Sequence, residues 1–484
     1  MIEMIHKPFA HQIKAKEHRS NCKASKDGFA LLMDMGTGKS YTLLSFIVDE
    51  YNSGCVDAAL VVAPSQVAHQ WVYNQIPDHL RDNEEKMVVL WGPHTKKLEK
   101  QLHDLLFFKG LSILIMNPEA VITKRGADYV KSFMTKRKVF VGVDESTCIK
   151  NHSAKRTKFF IKIAPFAKKR VIMTGTPITN SPMDAFSQFQ FVQNGCLGHT
   201  NYVSFRNRYA LTKTMQVNGR KFETIIGYQR LSELHDKIVA ISYRVTKAEC
   251  VDLPEKIYET REIEMGDRQS AYYKSMKNEM IAILENGDVI TAPIVLTQLL
   301  RLRQASCNLV PTGDESDCRL IEEKDSRTEE VMNVLDESEG KAIIWATFTK
   351  SIEHIAECIS KKYGPNKVGF IHGGVNQNSR TEVINQFKNG DISYLVMNPK
   401  TSGSGLDLWQ ANTVIYYNND WSLDVRLQSE DRAHRIGQKK SVLYVDIVCR
   451  GTVDEKIIHA LKNKNSLALQ ITGDNLRKII GWPA

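Results

Sequence analysis

The run Met33-Asp34-Met35-Gly36-Thr37-Gly38-Lys39-Ser40 has the residue types that hold a nucleoside triphosphate. Glycines at 36 and 38 let backbone N–H groups, Thr37 among them, curl around a phosphate with no Cβ in the way. Lys39 then reaches the β- and γ-phosphates, and the Ser40 hydroxyl can ligate Mg²⁺. The usual loop opens with a glycine where Met33 stands here. A second group, Asp144-Glu145, follows the apolar run Val139–Val143. Packing does not call for two adjacent carboxylates at a strand end. Asp144 can share a Mg²⁺ with Ser40, and Glu145 can polarise an attacking water. A third group lies in Gln428-Ser429-Glu430-Asp431-Arg432-Ala433-His434-Arg435-Ile436-Gly437-Gln438. Arg432 and Arg435, three apart, are expected on one helix face. Two such guanidinium groups can neutralise charge on a transferring phosphoryl group, a solvated charged helix being the alternative. Near the start, Pro8 can open a helix, and the Gln12 amide matches the N6 donor and N7 acceptor of adenine.

These groups need elements to hold them, and the flanking sequence supplies a parallel α/β rhythm. Phe29–Leu32 precede the phosphate loop, while Leu43, Leu44, Phe46 and Ile47 follow it at helical spacing. Further buried strands are expected at Ala58–Ala63, Met87–Leu90, Leu111–Met116, Val139–Val143 and Val171–Met173. Ser65 and Asn117 lie in loops just past two of these strands, where open α/β sheets present ligands. The small polar run Thr174-Gly175-Thr176-Pro177-Ile178-Thr179-Asn180 permits a tight junction near the acidic pair.

From Met183 to about Val251 the pattern changes to interspersed aromatic and basic residues at helical spacing. A helical insertion over 183–252 with a small aromatic core is expected, and Val217-Asn218-Gly219-Arg220 reads as a hairpin turn. Leu253-Pro254 marks a boundary. A second α/β series follows, with strands expected at Lys256–Ile263, Ala342–Ala346, Val368–Ile371, Tyr394–Met397 and Val414–Tyr417. The expected organisation is thus 1–182, the insertion 183–252, a second lobe 253–450 and a closing helical segment 451–484. Two α/β domains with one phosphate loop imply a nucleotide held at a cleft.

The 484 residues are too many for one core and fit two large domains with an insert. Hydrophobic content of 42% with 25% charged residues describes a folded chain. A formal net charge of +10 favours a polyanionic partner. Nine scattered cysteines without a Cys-x-x-Cys pair predict neither a zinc ribbon nor a disulfide framework, and point to a reducing cytoplasm. No apolar run reads as a leader or a bilayer span, so no membrane partner is expected.

Taken together, these motifs resemble those of the Swi/Snf family of superfamily 2 helicase-like ATPases. Gly36–Ser40 is similar to motif I, Asp144-Glu145 to motif II, Thr174–Pro177 to motif III and Lys400–Leu408 to motif V. Gln428–Gln438 matches motif VI, including its Arg-Ala-His-Arg-Ile-Gly-Gln ending, and Gly451–Ile457 resembles the family's closing helix. The resemblance covers nearly the whole chain and implies an α/β fold of two tandem RecA-like parallel-sheet lobes with a helical insertion.

By position, the resemblance assigns Gln12 to adenine, and Gly36, Thr37, Gly38, Lys39 and Ser40 to the triphosphate of ATP. It assigns Asp144 with Ser40 to Mg²⁺, Glu145 to the catalytic water, and Arg432 with Arg435 to the transition state. Gly405 and Asp407 of motif V are expected at the nucleotide, and Ser65, Asn117 and Thr401 along a DNA strand. Departures are Ser146-Thr147 where the family has Ala-His, Asp407 for asparagine and Asp34 for glutamate. The implied activity is ATP-driven translocation on, or unwinding of, double-stranded or branched DNA. The implied protein is a monomeric bacterial or phage-type motor with replication or recombination partners. An RNA-directed motor is an alternative. A nucleic-acid-binding scaffold with a degenerate ATPase is another, motivated by Ser146-Thr147 and separated from the first by turnover.

Overall fold

The computed structural model describes residues 1–472 except 25–26, 82–83, 218–219, 251–252, 286–291, 313–317, 401–405 and 436. Two compact units account for most of it, the first holding Met1–Lys213 and Glu223–Asp252, the second Leu253–Asn465. In chain order the first set of strands is β1 (Gly28–Met33), β2 (Ala58–Val62), β3 (Lys86–Leu90), β4 (Leu111–Met116), β5 (Val139–Asp144) and β6 (Lys169–Met173). The hairpin strands β7 (Ala210–Val217) and β8 (Arg220–Tyr228) come next, then β9 (Ser242–Val245). Seven of these form one parallel sheet in the order β3-β4-β2-β5-β6-β1-β9. Its central strands are apolar runs such as Ala-Ala-Leu-Val-Val in β2, every residue buried. That is the pattern of strands covered on both faces.

This order places the chemistry. β6 lies between β5 and β1, with Asp144 opposite Met173 and Leu31 opposite Met173 on the other side. All three strands run the same way, so the phosphate loop after β1, the acidic pair ending β5 and the Thr174 loop after β6 emerge on one rim. The helix Lys39–Asn52 then returns across the sheet. It passes so close to β5 that a Cβ on Gly142 would lie 2.8 Å from a Leu43 methyl, which accounts for a glycine inside a buried strand.

The expected insertion over 183–252 holds the helices Asp184–Val192, Tyr202–Tyr209 and Leu231–Val239. Phe186, Phe189, Phe191, Phe205 and Tyr209 are buried there. The stretch is not purely helical, however. β7 and β8 pair with each other, the turn between them falling outside the described residues. β9 extends the main sheet alongside β1, with Ala30 opposite Ser242 and Met33 opposite Val245. Ser-Tyr-Arg-Val is buried at its two ends and half-buried between them, but it is short and follows a strongly helical segment.

In the second unit the strands are β10 (Lys256–Ile263), β11 (Leu309–Pro311), β12 (Cys318–Leu320), β13 (Lys341–Trp345), β14 (Val368–Ile371), β15 (Tyr394–Met397), β16 (Ala411–Tyr416) and β17 (Val442–Cys449). Six make a second parallel sheet, ordered β10-β17-β16-β13-β15-β14, and β11 pairs antiparallel with β12. The sheet is anchored by a buried arginine. Arg327 donates to the carbonyls of Ile447 (2.9 Å) and Ser306 (3.3 Å), to that of Tyr417, and to the Asp454 carboxylate. Burial works against its charge, and the neighbouring Asp454 more than offsets this, so its pKa is raised. Arg327→Met leaves Asp454 buried without its cation. It is expected to destabilise this unit by about 3–5 kcal/mol, the usual cost of breaking a buried pair from one side. Urea unfolding followed by tryptophan fluorescence checks this.

Candidate active site

The phosphate loop turns on two left-handed glycines, Gly36 and Gly38, each with φ of 83°. A side chain at 38 would be strained there, and its Cβ would also meet the Gln12 amide nitrogen at 2.3 Å. Thr37 is buried, and its hydroxyl donates to the Asp34 carbonyl at 2.7 Å, closing the loop. Lys39 opens the helix Lys39–Asn52 and donates through Nζ to the Met33 carbonyl at 3.0 Å. Ser40 is half-buried in the first helical turn, where free N–H groups and the helix dipole favour an anion.

Gln12 is only 2% exposed, and it is tied to this loop. Its Oε1 accepts from the Phe9 N–H at 2.8 Å, and its Nε2 donates to the Gly38 carbonyl at 3.3 Å. Beside it, His11 Nε2 lies 2.8 Å from the Thr37 carbonyl oxygen. The sequence separation of 26 residues between Gln12 and Gly38 is thus closed by direct contact.

Asp144 is 5% exposed at the end of β5 and accepts a hydrogen bond from Trp71 Nε1 at 2.9 Å. Burial pushes its pKa up to about 7, with Glu145 adding to the rise and Trp71 and Lys39 opposing it. A buried carboxylate so costly to ionise is a site that a divalent cation would complete. With the left-handed glycine cradle and the Ser40 hydroxyl, these residues fit a magnesium-bound triphosphate. Glu145 follows in left-handed backbone, φ 51°, a conformation that costs free energy and concentrates at functional positions. Trp71 was legible only as a helix aromatic. It begins a single wide helical turn, Trp71–Gln75, of the kind that re-aims side chains.

A second residue that sequence reasoning missed is Arg244 on β9. Its Nη1 reaches Asp34 Oδ1 at 2.9 Å, the Leu32 carbonyl at 3.2 Å and the Gly175 carbonyl at 3.0 Å. One guanidinium therefore fastens the start of the phosphate loop to the Thr174 loop. Recognising β9 as a strand beside β1 was the signal needed. Ser65 is exposed at the head of the short helix after β2. Asn117 is half-buried after β4, where its Oδ1 accepts from the Ala120 N–H at 2.8 Å. β2 and β4 are neighbours, so both residues stand on the same rim as the phosphate loop.

In the second unit the expected helical face for Arg432 and Arg435 is not formed. The helix Leu423–Glu430 stops at Asp431, and both arginines follow in turns. The stop has a clear cause, because Glu430 is fixed in the core. Its carboxylate accepts from Tyr258 OH at 2.7 Å, Arg426 Nε at 2.8 Å and Lys256 Nζ at 3.1 Å. The Arg426 guanidinium in turn sits 3.6 Å from the Tyr416 ring centre and pairs with Asp446. Arg432 is 4% exposed, with Nη1 donating to the Leu406 carbonyl at 3.3 Å. Arg435 is half-buried. Gln438 pins the end of the segment through Nε2 to the carbonyls of Trp409 and Ala411, each at 2.8 Å. Asp407 is half-buried, its Oδ1 without a hydrogen-bond partner among the described residues. Thr401 and Gly405 lie outside the described residues.

Residues 11–310 match the SNF2-related domain, and residues 323–437 match the helicase conserved C-terminal domain. The TATA-binding protein-associated factor MOT1 of Saccharomyces cerevisiae is 27% identical over 90% of this chain and 26% of its own length. The putative ATP-dependent helicase/translocase YwqA of Bacillus subtilis is 24% identical over 92% of this chain and 46% of its own length. An uncharacterized ATP-dependent helicase of Mycoplasma genitalium, MG018, is 25% identical over 91% of this chain and 40% of its own. The chain thus spans less than half the length of each of these relatives. With the SNF2-related match covering more than half of its residues and the helicase C-terminal match following directly, the chain belongs to the Swi/Snf family of superfamily 2 helicase-like ATPases.

Proposed function

We propose that this chain is a DNA-dependent ATPase that couples ATP hydrolysis to movement along double-stranded DNA. The observation that carries the reading is the shared rim of β1, β6 and β5. It brings Lys39, the Thr174 loop, Asp144 and Glu145 together, with Lys39 near enough to act electrostatically on Asp144. Lys39 and the backbone N–H groups of 36–40 bind and orient the triphosphate, and Gln12 reads the adenine edge beside them. Ser40 and Asp144 hold Mg²⁺, which when bound neutralises charge on the phosphate oxygens. Glu145 orients the attacking water and takes its proton. Arg435, with Arg432 as its neighbour, supplies guanidinium donors where charge develops on the γ-phosphoryl oxygens. Asp407 contributes to the same nucleotide contacts.

Duplex DNA as the track is supported by the basic balance of the chain and by relatives named as helicase/translocase and as a TATA-binding protein-associated factor. Ser65 and Asn117, on adjacent strand ends of the first unit, and Thr401 in motif V are the proposed backbone contacts. Steady-state ATP hydrolysis titrated with duplex DNA tests the reading. Turnover is expected to rise with DNA, and the log of the apparent affinity to fall linearly with log salt as phosphate contacts release counterions. Turnover indifferent to DNA would refute it, and stronger stimulation by duplex RNA would favour the RNA-directed motor.

A further inference from the structure

The rim opposite the phosphate loop is built from the turns that enter the strands of the first sheet. Phe107-Phe108-Lys109-Gly110 leads from the helix Lys96–Phe107 into β4, and Lys136-Arg137-Lys138 from the helix Lys124–Lys136 into β5. Phe166-Ala167-Lys168 leads from the short helical turn Ala164–Phe166 into β6. Arg137 fastens the first two turns together, donating through Nη1 to the Phe108 carbonyl at 2.6 Å and through Nη2 to that of Gly110 at 2.8 Å. The Lys168 N–H donates to the Val139 carbonyl at 2.9 Å and joins the third. None of these three turns contains an acidic residue. Lys109, Lys136, Lys138 and Lys168 are exposed there, and among the described residues none of the four pairs with a carboxylate. Asp57 and Asp27, which precede β2 and β1, are already held by Arg137 at 3.2 Å and Lys169 at 3.4 Å.

Two large aromatic rings stand among these cations. Phe107 is 58% exposed, with Lys136 Nζ 4.4 Å from its ring centre, and Phe166 is 68% exposed two residues before Lys168. One exposed ring is ordinary, but two on neighbouring turns, each beside unpaired lysines, combine the two groups that hold a nucleic-acid strand. Lysines alone would suit any polyanion, a duplex included. The rings decide between them, because a duplex keeps its base faces stacked inside, whereas a single strand offers phosphates and free base faces together. β4 and β6 lie three strand spacings apart, about 14 Å, so one short strand can reach both rings. We propose that this rim binds a single nucleic-acid strand, with phosphates on the lysines and bases stacked on Phe107 and Phe166.

Binding at this rim does not depend on the hydrolysis proposed above. The test is fluorescence anisotropy of labelled oligodeoxythymidylate with the full chain, in the presence of saturating unlabelled duplex DNA. The unmodified chain is expected to bind the oligonucleotide under these conditions. Phe107→Ala and Phe166→Ala are each expected to weaken that binding about tenfold, the usual worth of one base stacked on an aromatic ring. Lys138→Gln combined with Lys168→Gln is expected to lower the slope of log affinity against log salt by about 1.4, the counterion release of two single-strand phosphates. All four side chains are exposed, so circular dichroism and DNA-stimulated turnover are expected to match those of the unmodified chain. Oligouridylate run in parallel tells an RNA strand from a DNA strand, and binding of either supports the single-strand reading. Displacement of the oligonucleotide by the duplex, or unchanged affinity in both phenylalanine variants, would overturn the proposal. Turnover indifferent to DNA in the unmodified chain would instead overturn the reading of the opposite rim.

Discussion

Lys39→Ala is expected to abolish ATP turnover while the chain stays folded. Among the described residues the Lys39 Nζ makes one hydrogen bond, to the Met33 carbonyl at 3.0 Å. Alanine is a good helix former at the first residue of the helix Lys39–Asn52. The structural cost is about 1.5–3 kcal/mol, that of one hydrogen bond from a charged donor. The catalytic cost expected from the proposed role is far larger, because there the ammonium meets the charge that gathers on the β- and γ-phosphates. Losing one preorganised donor from such a site costs about 10²–10³ in rate. Circular dichroism, nucleotide titration and steady-state hydrolysis together separate the two costs. Hydrolysis at the unmodified rate would remove the phosphate-loop assignment.

Arg435→Ala is expected to lose turnover by roughly 10³–10⁵, the value of an arginine supplied to the phosphoryl transition state in related systems. Binding of ATP and of DNA should change little, since the charge it stabilises develops only as the bond to the leaving oxygen breaks. Arg435→Lys should recover little, because an ammonium lacks the planar fork of donors. The structure separates this residue from its neighbour. Arg432 is buried and donates to the Leu406 carbonyl, so Arg432→Ala also disturbs the segment that carries both. Arg435 is half-buried and is the cleaner probe. Hydrolysis at the unmodified rate in Arg435→Ala, with DNA saturating, would rule out the transition-state role.

Most of the first sheet can be read from residues alone, because β2, β4 and β5 are apolar runs, broken only by Ser112 in β4 and Gly142 in β5, that give way to polar residues at their ends. The phosphate loop and the acidic pair are local strings, and the parallel order of β5, β6 and β1 brings them together without further assumption. What resisted reading is what depends on distant partners. β17 (Val442–Cys449) is apolar but interrupted by Asp446, and its pairing with Arg426 and the hydrogen bond from Asn419 Nδ2 at 2.7 Å make a buried aspartate tolerable in that strand. β9 is four residues long inside a stretch whose aromatics repeat at helical spacing, so its place beside β1 is set by the sheet and not by its own composition. The charged segment 428–438 has helical spacing, yet the anchoring of Glu430 by Lys256, Tyr258 and Arg426 ends the helix before either arginine. Trp71 and Arg244 carry no local mark of their contacts with Asp144 and Asp34, since each bond joins residues far apart in the chain.

Movement along duplex DNA driven by ATP hydrolysis is tested most directly by triplex displacement. A labelled third strand is annealed to a long duplex, and its release is followed with ATP, with a non-hydrolysable analogue, and with the Lys39→Ala variant. Release is expected from the unmodified chain with ATP alone, at a delay that grows with the length of duplex leading to the triplex. A third strand that stays bound while the unmodified chain hydrolyses ATP at its DNA-stimulated rate would contradict translocation.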